Sequence, residues 1–97
     1  MNYKEAYQSL PENLVEQYKD LNFENHCYLR IALDNTFQKK WNKVLKSPAY
    51  KHLNNSQLEQ VILLLKSYQT DKALLLEHNK KSLAWRKAEK GDQLRLY

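Results

Sequence analysis

The hydrophobic and polar positions of this chain read as four helical segments joined by short connections. The first is expected over residues 12–19. Ser9 is placed to cap it, Glu12 completes a capping box, and Pro11 falls in the first turn, where a missing N–H costs nothing. Residues 3–8 are either an earlier helical turn or a loose lead-in.

The second segment is expected to be the longest, over 24–46, with Asn22 as its cap. From Cys27 to Leu33 it is apolar nearly all round, the pattern of a central helix packed on several sides. Its second half narrows to the stripe Leu33, Phe37, Trp41 and Val44, with Lys39, Lys43 and Lys46 on the opposite face. Pro48 disfavours helix in the residue before it, so the helix should stop near Ser47.

A connector over 48–54 leads to a third helix. Ser56 and Glu59 form a capping box, with Asn55 as the alternative cap. The apolar positions Leu58, Val61, Ile62 and Leu65 then carry the helix to about Tyr68. Thr70 or Asp71 caps a fourth helix that should run to about Lys90, with Gly91 placed to stop it. Residues 1–8 and 92–97 are the places where fraying is expected. The pattern predicts one all-α domain over 1–97. It is either an antiparallel four-helix bundle or a three-helix core with the N-terminal helix laid across it.

Composition supports the class. The chain has 97 residues, room for one domain and a modest core. It contains one Gly and two Pro, too few to turn a chain of short strands. The longest apolar run, Val61 to Leu65, is far short of the roughly 20 residues that cross a bilayer, so no membrane role is expected. A single cysteine, Cys27, cannot close an intramolecular disulfide, and no signal-like stretch follows Met1. A cytoplasmic location is therefore the expectation.

Charge is uneven. Residues 1–34 hold six acids and three bases, whereas residues 35–97 hold five acids and thirteen bases. Lysines 39, 40, 43, 46 and 51 follow one another with no acid between Thr36 and Leu53. A second cluster, 80–90, surrounds Trp85. A basic face of this kind either tracks phosphates or is simply solvated.

Catalytic signatures are not evident. No Gly-rich loop could cradle a phosphate, so no cofactor is expected. His26 and Cys27 are neighbours, about 100° apart on a helix, and would not share a metal ion as an i, i+4 pair does. Cys27 near a helix start could be an activated thiol, but its apolar surroundings oppose ionisation. Arg30 and Asp34, four apart, fit an intrahelical ion pair. Together with Cys27 they are the candidate buried polar groups, or the inward groups of a small ligand-binding bundle.

These observations lead to the expectation of a small non-catalytic helical interaction or regulatory module, with a protein partner or a second copy of itself. The alternative is nucleic-acid binding through 39–51 and 80–90. In either case the contact residues would be drawn from Lys39, Lys43, Lys46, Lys81, Trp85 and Arg86. For Trp85 the competing expectation, favoured for a large aromatic, is burial in the core beside Leu74 and His78 on the same helix face.

Overall fold

The computed structural model describes residues 2–95, and the side chains of residues 2–88. Four helices, α1 (Tyr3–Gln17), α2 (Asn25–Phe37), α3 (Asn55–Thr70) and α4 (Lys72–Arg95), make up the fold, with no strand among the described residues. The all-α helical bundle predicted from the pattern is the architecture observed. None of the helices is long and apolar enough to cross a membrane, among the described residues.

Helix α1 starts well before the expected Ser9 cap. Asn2 caps it instead, its Oδ1 accepting from the Lys4 N–H at 2.8 Å. The reason lies in packing: Ala6, Tyr7, Leu10, Pro11 and Leu14 form one buried face, so burial upstream extends the helix past a local start signal. Pro11 therefore sits inside the helix. An interior proline costs about 3 kcal/mol through its missing donor, offset here by a ring that is itself part of the core.

A single 3-10 turn, Lys19–Leu21, links α1 to α2. Asn22 closes that turn in the left-handed region (φ 56°) rather than capping α2, a conformation asparagine tolerates. Glu24 occupies the N-cap of α2.

Helix α2 does not continue to Lys46. It ends at Phe37, and Gln38 turns left-handed (φ 55°), its N–H reaching back to the Asp34 carbonyl. Two more short 3-10 turns, Trp41–Lys43 and Ala49–His52, carry the chain to α3. The Trp41 N–H, which in a continued helix would bond Phe37, donates to the Asp34 carboxylate at 2.9 Å. That side chain captures the backbone and fixes the break. The predicted apolar stripe survives in part: Leu33 is buried, Phe37 and Trp41 pack on the core, and Val44 is exposed. The opposite face of lysines does not form, because there is no helix there to carry it.

Asn54, one residue before Asn55 and two before Ser56, starts α3 with a reciprocal box. Gln57 N–H donates to Asn54 Oδ1 at 2.8 Å, and Asn54 N–H to Gln57 Oε1 at 3.0 Å. Leu58, Val61, Ile62, Leu65 and Tyr68 are its buried residues. Asp71 caps α4 as expected, its Oδ1 accepting from the Leu74 N–H at 2.9 Å. Gly91 permits a left-handed stop but does not compel one, and α4 passes through it to Arg95. Of the tail where fraying was expected, residues 96 and 97 lie outside the described residues, as does residue 1.

Side-chain bonds give the direction of the helices. Tyr3 Oη donates to Glu59 and Tyr18 Oη to the Tyr68 carbonyl, so α1 runs parallel to α3. Arg30 bonds Asn79 and Ser82 while Asp34 bonds Ser82 and Arg86, so α2 runs parallel to α4. With α3 and α4 joined at Asp71, the bundle goes up, down, up, down. Helices α2 and α3 each touch three other helices and form its middle. Leu14, Tyr28, Ile31, Val61, Leu65, Tyr68 and Leu75 are completely buried between them.

Candidate functional site

Two polar constellations are built on this frame, and they differ in what they leave accessible. The first cements α2 to α4. Helix α4 buries Leu75 and Ser82 completely, with Asn79 and Arg86 near them at helical spacing, so its inner stripe is largely polar. A polar stripe must be met by polar partners, and α2 supplies Arg30 and Asp34 one turn apart.

Asp34 is 0% exposed, and its carboxylate is fully engaged. Arg86 donates Nε to Oδ2 at 2.8 Å and Nη2 to Oδ1 at 3.1 Å, a bidentate pair. Ser82 Oγ donates to Oδ2 at 2.6 Å, and the Trp41 N–H takes Oδ1. Ser82 in turn accepts from Arg30 Nη1 at 2.7 Å, and Arg30 Nη2 donates to Asn79 Oδ1 at 2.8 Å. The Arg30–Asp34 pair expected within α2 is thus relayed through a hydroxyl on α4. Burial lowers the pKa of Arg30 from the usual guanidinium range, with Cys27 opposing that shift.

This arrangement is a structural staple. A carboxylate with four donors on it has no lone pair left to act as a base. Cys27 is half-buried beside Arg30, while His26 turns away to an exposed contact with Glu24 Oε2 at 3.3 Å. The structure therefore does not bring His26 to the Cys27 thiol. Among the described residues no group of three or more His, Cys, Asp or Glu could hold a metal ion.

The second constellation is open. A cleft of about 520 Å³ lies between α3 and α4 and meets the C-terminal end of α2. Asn35 borders it from α2 and Gln38 from the turn that ends α2, Gln60 and Leu64 from α3, and His78, Lys81, Ala84 and Trp85 from α4. No carboxylate is among these eight residues. The volume is within the roughly 300–1,000 Å³ of ligand sites.

Several of these groups are held rigidly. Asn35 Nδ2 donates to the Ile31 carbonyl at 2.8 Å and the His78 carbonyl at 3.0 Å. Both its donors are committed, so what it offers a ligand is its carbonyl oxygen. His78 packs edge-on against buried Tyr68, with Tyr68 Oη 2.7 Å from Nδ1. Burial pushes the Tyr68 hydroxyl well above the ordinary phenol range. Burial, reinforced by Lys81 and opposed by Glu77, lowers the His78 pKa.

The predicted contact residues separate into groups. Lys81 and Trp85 come together on the cleft. Trp85 is half-buried and stands outside the apolar core, unlike Leu74, which packs on it. Lys39 follows the cleft residue Gln38 and is exposed. Lys43 and Lys46 are exposed on the 3-10 turn and the loop beyond it. Arg86 belongs to the staple, not to a contact surface. Asn79, Ser82, Gln38 and Gln60 were not singled out from sequence, and His78 entered there only as a neighbour of Trp85. The available signal was the polar residues recurring at three- and four-residue steps along α4, while Leu76 and Leu83 prove exposed.

Comparison with protein-family models, curated proteins and solved structures found no match for the chain.

Proposed function

We propose that this chain is a non-catalytic interaction module that engages its partner through the cleft beside Trp85. The observation that carries the reading is the position of Trp85. Trp85, a large aromatic, is partly exposed on the wall of the cleft and stands outside the apolar core. Tryptophan is enriched among the residues that dominate binding energy, because a rigid ring gives much contact area for little lost entropy. The staple supports the non-catalytic part. Its ionisable groups are spent on one another, and they hold α4 so that Trp85 and Lys81 keep their geometry against α3.

The experiment is capture from native extract with the wild-type chain and with Trp85→Ala, each with and without nuclease, reading both protein and nucleic acid. A partner recovered by wild type and lost by the variant supports the reading. Equal recovery by both, with the variant still folded by circular dichroism, overturns it.

A further inference from the structure

We propose that the cleft receives an unpaired nucleobase of a single-stranded nucleic acid, stacked on Trp85, with the adjoining phosphate on Lys81. The inference rests on the cleft reading above and names its occupant. The chemistry of the lining selects it. Gln38 and Gln60 bring two carboxamides to one cleft, the side chains whose paired donor and acceptor match the edge of a base, and Asn35 adds a carbonyl acceptor. Asn35 is already fixed as an acceptor by its two donated bonds, so part of that edge is preorganised.

The accessible part of the Trp85 indole supplies the stacking surface that every base can use. Lys81 is the cation within the lining, and no acid there competes for it. Lys39, next to Gln38 in sequence, and Lys80 and Lys87, flanking Lys81 and Trp85 along α4, are exposed, a continuation of the positive charge along the chain. That continuation favours a strand over a free nucleotide.

An acidic peptide fits less well. Carboxylates are best met by guanidinium forks, and the two arginines of this region are occupied. Arg86 is clamped on Asp34, and Arg30 is spent on Ser82 and Asn79. What remains around the cleft is amide, indole and ammonium, which suits a base and a phosphate.

The test is a titration of intrinsic tryptophan fluorescence, at about 50 mM salt, with adenine and uracil RNA strands of about ten nucleotides, the matching duplex, and nucleoside monophosphates. Single strands are expected to quench, with the duplex weaker. Trp85→Ala should remove most of the quench and weaken binding about tenfold or more, as measured by anisotropy of a labelled strand. Lys81→Ala should weaken every strand alike and lower the salt slope by about 1. Gln60→Ala, an exposed change on α3, should also weaken binding and guards against a Trp85 variant that fails to fold.

No quench by any strand, or strand binding indifferent to Trp85, Lys81 and Gln60, would overturn the inference. Monophosphates binding as tightly as strands would overturn the choice of a strand. If strands do not bind while Trp85→Ala still loses a nuclease-resistant protein in the capture experiment, this inference fails and the cleft reading stands. If Trp85→Ala loses nothing in either experiment, both fail.

Discussion

Arg86 and Asp34 are separated by 52 positions in sequence and joined by two hydrogen bonds of 2.8 and 3.1 Å. Asp34 is completely buried and the Arg86 side chain 21% exposed, so water screens this pair little. Arg86→Met leaves the carboxylate with Ser82 and the Trp41 N–H alone, and should cost about 3–5 kcal/mol in urea unfolding. Adding Asp34→Leu should recover part of that loss, because the uncompensated charge is then gone. A double variant worse than the sum of the two singles would contradict the staple.

Ser82→Ala tests the relay separately. The change removes one hydroxyl that both accepts from Arg30 and donates to Asp34. The expected cost is about 1–3 kcal/mol, since two charged partners lose a bond inside the protein. Capture of the partner at temperatures well below the melt should be unchanged. A Ser82 variant with wild-type stability would show that the relay contributes nothing.

Gln38 is a residue held left-handed where glycine would be at ease. Gln38→Gly should stabilise the fold by about 0.5–1 kcal/mol, measured as a higher urea midpoint with an unchanged slope. Destabilisation would mean that the side chain holds the α2 break more than its backbone strains it.

The sequence carried the class and most helix positions, because burial periodicity survives in residues such as Val61, Ile62 and Leu65. It misplaced the α2 end because nothing local marks it. Gln38 is not a usual left-handed residue, and the group that stops the helix is the Asp34 side chain, engaged by Arg86 from the other end of the fold. The early start of α1 was hidden for a similar reason: Ser9 and Glu12 are a sound local signal, outweighed by burial of Ala6 and Tyr7. Arg30 and Asp34 were visible as polar residues in an apolar helix, but their partners were not. Lys81 and Trp85 were legible as members of the 80–90 cluster; the amides opposite them come from α3 and the C-terminal end of α2, and no spacing rule links them.

His78 gives a pH dependence with a definite sign. Its pKa is lowered in the folded state, so between the folded value and the unfolded value of 6.5 the unfolded chain binds more protons. The His78 contribution is complete above about 6.5 and is lost as pH falls through the lower folded value. Melting temperature should therefore fall on acidification in this range, and His78→Phe should flatten the dependence. An unchanged dependence in the variant would remove His78 as its source.

The cleft can be tested against the rest of the surface in one spectrum. The chain has two tryptophans, Trp41 packed on the core and Trp85 on the cleft wall, and hence two indole N–H signals. The measurement is the two-dimensional proton–nitrogen spectrum of the labelled protein before and after addition of the captured partner. The account predicts that the Trp85 indole signal and the side-chain amides of Asn35, Gln38 and Gln60 move, while the Trp41 signal stays. A partner that binds while the Trp85 signal is unmoved would contradict it.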